Sequence, residues 1–134
     1  MEKLIIEPTL NSPRVILDPQ KNQFEFSGES RPENVRNFYL PILEWLEKYA
    51  GELSGQDKSN RTISIQIQFN LEYFNSTSAK YILDVFKAIN TMSDLGIEVS
   101  VRWLYEEDDE DMLEVGMEMS RMSKLTFDYV KTDE

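Results

Sequence analysis

Thr62-Ile63-Ser64-Ile65-Gln66-Ile67-Gln68-Phe69-Asn70-Leu71-Glu72-Tyr73 alternates apolar and polar side chains along its whole length. Successive side chains of an extended strand point to opposite faces. Ile63, Ile65, Ile67, Phe69 and Leu71 therefore share one face, and Ser64, Gln66, Gln68, Asn70 and Glu72 the other. One face is buried and one is solvated. A strand covered on both sides would be apolar throughout, so the spacing predicts a sheet with helices packed on one face only.

Working outward, the next segment changes period. Asn75-Ser76-Thr77-Ser78 is a cluster of helix-capping residues. Ala79, Ile82, Leu83, Phe86, Ile89 and Met92 then recur at spacings of three and four, which marks a helix that stops near Gly96. Ile97, Val99, Val101, Trp103 and Tyr105 alternate again with Glu98, Ser100 and Arg102. Strand, helix and strand joined by short links imply a parallel crossover. Met112, Val115, Met119 and Met122 suggest a third helix, and 125–130 a last strand.

Upstream, Arg14-Val15-Ile16-Leu17-Asp18 and Gln23-Phe24-Glu25-Phe26-Ser27-Gly28 flank a turn at 19–22 and read as a hairpin. Leu4-Ile5-Ile6 is a candidate short edge strand. Ser30-Arg31-Pro32-Glu33 has the S-x-x-E spacing of a capping box with proline in the first turn. It predicts that a helix begins at Ser30. Val35, Phe38, Tyr39, Ile42, Leu46, Tyr49, Ala50 and Leu53 form its apolar stripe, and Pro41 predicts a bend. Residues 54–60 read as a polar loop. The expected class is α/β (α+β), with a mixed sheet covered on one face, in a single domain spanning 1–134.

Composition removes several classes of function. The formal net charge is −11. The basic residues are scattered, whereas a nucleic-acid partner requires them clustered. Histidine is absent, which removes the commonest general base and metal ligand. Cysteine is absent too, so there is no disulfide framework. No apolar run approaches the roughly 18 residues of a membrane span, and acids and a proline interrupt the first eight residues. Together these features point to a cytoplasmic protein.

Four features could carry chemistry. Residues 75–80 lie where a parallel strand meets a helix. A helix N-terminus offers free N–H groups and the positive end of a dipole, so it can receive a phosphate. It can equally be a plain cap. Glu106-Glu107-Asp108-Asp109-Glu110-Asp111 could bind a divalent cation, start a helix, or face a partner. The rival reading of this run is a carboxylate or metal-dependent enzyme built on 106–111. The methionines Met112, Met117, Met119 and Met122 suit core filling or an adaptable binding surface. Trp45 suits the core margin or an interface.

Three segments together resemble a known family. They are Gly28-Glu29-Ser30-Arg31-Pro32-Glu33-Asn34, Leu71-Glu72-Tyr73-Phe74-Asn75-Ser76-Thr77-Ser78-Ala79-Lys80, and Trp103-Leu104-Tyr105-Glu106-Glu107-Asp108-Asp109-Glu110-Asp111-Met112. The chain is similar, from about residue 4 to about residue 130, to the SiaC-type bacterial regulatory phosphoproteins. The resemblance implies a fold like the STAS domains of anti-sigma-factor antagonists and a non-enzymatic adaptor that works by partner switching without a cofactor. A cognate kinase would phosphorylate Ser76, with Thr77 as the alternative, and a metal-dependent serine/threonine phosphatase would reverse this. The unphosphorylated form would bind and regulate an output enzyme, such as a diguanylate cyclase. The partner-binding residues would be Asn75, Ser76, Thr77, Ser78 and Lys80, with Tyr105, Glu106, Glu107 and Asp108. Anti-sigma antagonists usually carry Asp before the acceptor and Gly two residues after it, where this chain has Asn75 and Ser78.

Overall fold

A computed structural model describes residues 1–55 and 64–132. Along the chain run β1 (Leu4–Ile6), β2 (Arg14–Asp18), β3 (Gln23–Ser30), α1 (Val35–Ser54), β4 (Ser64–Phe74), α2 (Ser76–Ser93), β5 (Glu98–Glu106), α3 (Glu110–Ser123) and β6 (Phe127–Thr132). The strands form one sheet in the order β1-β2-β3-β4-β5-β6. The β1/β2 and β2/β3 pairs are antiparallel, while β3/β4, β4/β5 and β5/β6 are parallel. Each parallel step crosses over through one helix, because a tight turn cannot return the chain in the same direction.

The alternation in β4 does what its period requires. Ile65, Ile67, Phe69 and Leu71 are buried, while Ser64, Gln66, Asn70 and Glu72 are exposed. Thr62 and Ile63, expected in the same strand, lie outside the described residues, as does 56–60 of the expected loop. The buried side meets Val15, Leu17, Phe24, Phe26, Val101, Trp103 and Phe127 from the neighbouring strands and the apolar stripes of the helices. Aromatic rings dominate this core. Phe69 lies 4.5 Å from Phe26 and 4.6 Å from Phe86, centroid to centroid.

Two expectations are corrected. The helix expected from Ser30 begins at Val35, and its cap is Asn34, whose side chain accepts from the Asn37 N–H at 3.0 Å. Ser30 instead ends β3, opposite Phe74 of β4. The capping-box spacing is a local signal, and here long-range strand pairing outweighs it. The methionines divide between two roles. Met112 and Met119 are buried, whereas Met117 and Met122 are exposed.

Pro41 lies inside α1 and does not end it. Trp45 is buried, and its indole N–H donates to the Glu2 carbonyl at 2.8 Å, fastening the N-terminal segment to α1. Gly96 has φ +83 in the turn after α2, a backbone that glycine adopts without a Cβ penalty.

Candidate functional site

The end of β4 is irregular where it matters. Gly28 of β3 pairs with Leu71, but Glu29 pairs with Tyr73, so Glu72 is an extra residue on β4. Gly28 has φ +106, which allows the shift. Such bulges re-aim the chain beyond them. Here the shift sets Phe74 against Ser30 and lets the Asn75 N–H donate to the Ser30 carbonyl at 3.1 Å. The helix α2 starts at the next residue.

Asn75 caps that helix. Its Oδ1 accepts from the Ser78 N–H at 2.9 Å and from the Thr77 hydroxyl at 3.1 Å. The three hydroxyls after Asn75 have different fates. Ser78 is wholly buried, and its Oγ accepts from Ser30 Oγ at 2.9 Å. Thr77 is exposed, but its proton is engaged by Asn75. Ser76 is exposed at the first helical position, and no hydrogen bond joins its hydroxyl to another described residue. Lys80 is exposed one turn further on the same face and lies 5.9 Å from the centre of the Tyr81 ring.

Beneath this helix start lies a chain of buried hydroxyls. Tyr39 of α1 and Ser30 share a 2.6 Å hydrogen bond, and Ser30 donates onward to Ser78. Burial pushes the Tyr39 phenol up from 10.0 to about 12, and its hydrogen bond with Ser30 only partly opposes this. In the sequence Tyr39 belongs only to an apolar stripe, and Ser30 only to a helix cap. Neither pattern signals a polar contact across the fold.

The acidic run lies at the same end of the sheet, after the adjacent parallel strand. Tyr105 and Glu106 end β5. A cleft lined by Asn70, Glu72, Tyr105, Glu106, Asp109 and Thr132 opens between the ends of β4 and β5, so Glu72 and Glu106 share one cleft. Glu107 turns to Lys131 at 3.8 Å. Asp108 lies in the turn, and Asp109 caps α3 by accepting from the Met112 N–H at 3.0 Å. Among the described residues, no three acids converge closely enough to hold a metal ion.

Ser78 departs from the surface expected for partner binding. Its burial puts its hydroxyl out of a partner's reach, so it acts as a strut under the exposed Ser76 and Thr77. The structure brings Asn75, Ser76, Thr77 and Lys80 to the sheet end that also carries Tyr105, Glu106, Glu107 and Asp108.

The model for SiaC family regulatory phosphoproteins matches residues 6–132. The chain belongs to that family. It is therefore a regulatory phosphoprotein and not an enzyme, and the carboxylate or metal-dependent enzyme considered for 106–111 is set aside. An uncharacterized protein of Pseudomonas aeruginosa (strain UCBPP-PA14) is 25% identical over 134 residues, the full length of both chains. Apo-SiaC from Pseudomonas aeruginosa has the same fold, with a TM-score of 0.79 at 23% identity, over 97% of this chain and 99% of that one. The SiaC chain in the crystal structure of diguanylate cyclase SiaD in complex with its activator SiaC, also from Pseudomonas aeruginosa, gives a TM-score of 0.82 at 23% identity. That match covers 96% of this chain and 99% of the other. No helix among the described residues is long and apolar enough to cross a membrane.

Proposed function

We propose that this SiaC-family chain, acting in the cytoplasm as one domain over 1–134, is an adaptor switched by phosphorylation of Ser76. Its unphosphorylated form binds and regulates a diguanylate cyclase. A cognate kinase adds the phosphate, and a metal-dependent serine/threonine phosphatase removes it. Support for the output enzyme comes from the family and from the SiaC relative that activates SiaD.

The observation that carries Ser76 over Thr77 is the difference between their hydroxyls. Ser76 is exposed and unengaged among the described residues, whereas the Thr77 proton is held by Asn75. A phosphate on Ser76 would sit at the N-terminus of α2, where the first N–H groups lack helical partners. It would add about −1.5 to −2 charges at a sheet end already bearing Glu72 and Glu106. The fold tolerates that charge while the partner-facing surface is altered.

The test is to phosphorylate the chain with its cognate kinase and map the sites by mass spectrometry. Phosphate on Ser76 is expected; phosphate only on Thr77 overturns the choice between the two hydroxyls, and phosphate found only outside 76–77 overturns the site. In calorimetry with the cyclase, Ser76→Ala should bind like the native chain and Ser76→Asp at least tenfold more weakly.

A further inference from the structure

Three hydroxyls follow Asn75 in succession, and a kinase that read only the neighbouring residues would meet all three in nearly the same context. The fold separates them with two hydrogen bonds. Ser78 Oγ is buried and tied to Ser30 Oγ at 2.9 Å. The Thr77 hydroxyl donates at 3.1 Å to Asn75 Oδ1, the oxygen that also accepts the Ser78 N–H at 2.9 Å. An amide oxygen carries two lone pairs, so capping the helix and holding Thr77 do not compete. Asn75 is itself fixed from outside. Its N–H donates to the Ser30 carbonyl at 3.1 Å, and its carbonyl accepts the Ala79 N–H at 2.9 Å. Its backbone is extended, with φ −85 and ψ 173. The acceptor for Thr77 is therefore set by the folded junction between β4 and α2.

Phosphoryl transfer makes the state of each proton matter. The hydroxyl oxygen forms a bond to the γ-phosphorus of ATP, the bond from that phosphorus to the ADP leaving group breaks, and the hydroxyl proton passes to a base on the kinase. A proton already given to Asn75 must first be released and the side chain turned. Thr77 carries that cost, whereas exposed Ser76 has no such bond to another described residue.

We propose that Asn75 determines which hydroxyl of this run is phosphorylated, by holding the Thr77 proton and leaving Ser76 free. This rests on the kinase-switched adaptor reading above. Asn75 acts through Thr77 and so is a positioning residue. One neutral hydrogen bond shifts the rate at Thr77 by about two- to tenfold. A carboxylate at position 75 accepts more strongly than an amide and is an equally good cap, so Asn75→Asp keeps Thr77 withheld.

The test uses a Ser76→Ala chain, in which Thr77 has no competitor, with the cognate kinase and ATP. Phosphate is located by mass spectrometry, and each variant is assayed well below its own melting temperature. The rate at Thr77 should rise about two- to tenfold with Asn75→Ala and with Asn75→Gly, and should not rise with Asn75→Asp. Glycine caps a helix nearly as well as asparagine, so Asn75→Gly separates the lost bond from a lost cap. Ser30→Ala loosens the helix start beneath Ser78 but keeps Asn75 Oδ1, and it should leave the Thr77 rate unchanged. A rise in Ser30→Ala or Asn75→Asp equal to that in Asn75→Gly overturns the inference, because loosening alone would then open Thr77. An unchanged rate in both Asn75→Ala and Asn75→Gly overturns it too. So does loss of all phosphate from those folded variants, which would make Asn75 a kinase contact instead. These outcomes leave the Ser76 reading standing. That reading fails on the native chain, where phosphate only on Thr77 or only outside 76–77 removes it and this inference together.

Discussion

Ser30 and Ser78 stand 48 residues apart in the chain and share a 2.9 Å hydrogen bond with neither side chain exposed. Through Ser30 the contact extends to Tyr39, so three elements (the end of β3, the first turns of α1 and the start of α2) meet at one buried polar chain. Buried hydroxyls are costly without partners and directional with them. The network holds Ser78 inward, and with it the orientation that leaves Ser76 outward.

Removing the middle hydroxyl should cost most. Ser30→Ala leaves two buried groups short of a partner and should destabilise the fold by roughly 2–4 kcal/mol. Tyr39→Phe removes only the end of the chain and should cost about 1 kcal/mol. Urea unfolding of both variants checks the order. Equal losses would mean that the hydroxyls do not act as a chain.

The Tyr39 phenol also sets a response to alkali. Its value in the folded chain, about 12, lies above the ordinary 10.0 because burial disfavours the phenolate. A raised value means that the folded state keeps its proton longer than the unfolded state does. The associated stability is fully present below pH 10 and is lost as pH rises from about 10 to about 12. It amounts to about 2–3 kcal/mol. Tyr49, raised by burial and then by the Glu52 charge, contributes with the same sign. Melting temperatures between pH 9 and 12 should fall more steeply for the native chain than for Tyr39→Phe.

At the cap, stability and switching should separate. Asn75→Ala should cost about 1 kcal/mol, because the Ser78 N–H and the Thr77 hydroxyl both lose their acceptor. Ser76→Asp puts a negative charge at the helix N-terminus, where it is favourable by about 0.3–1 kcal/mol. That variant should melt no lower than the native chain. A clear drop in its melting temperature would contradict the placement of Ser76 at the first helical position.

Gly116 makes room for Trp103. A Cβ built on Gly116 would lie 2.5 Å from the indole nitrogen, and that nitrogen is tied by a 3.0 Å bond to the Met112 carbonyl of the same helix. Gly116→Ala gains about 1 kcal/mol of helix propensity. Overpacking against the fixed ring should cost about 1–3 kcal/mol. Net destabilisation with a shifted tryptophan emission is expected, and a more stable variant would show that the ring is free to move.

Much of this architecture is legible in the residues because burial on one face imposes a period. The alternation of β4 and β5 and the stripes of α1 and α2 each required a single covered face, and the sheet has one. The boundary at Ser30 was not legible. Ser-x-x-Glu fits a capping box, yet the backbone there pairs with Phe74 of β4, and a partner so distant in the chain leaves no local trace. The unequal roles of Ser76, Thr77 and Ser78 were equally hidden, since three adjacent hydroxyls differ only in where the helix turns them.

By itself, then, the sequence determined which segments are strands and helices, which face of each is buried, and that a hydroxyl cluster stands at a strand-to-helix junction, because all of these follow from spacing between near neighbours. Only the tertiary structure decided that the bulge opposite Gly28 brings Ser30 beneath Ser78. It alone decided that Ser78 is turned inward while Ser76 is left exposed. Those relations depend on strand pairing and packing between distant segments, which a local pattern does not encode.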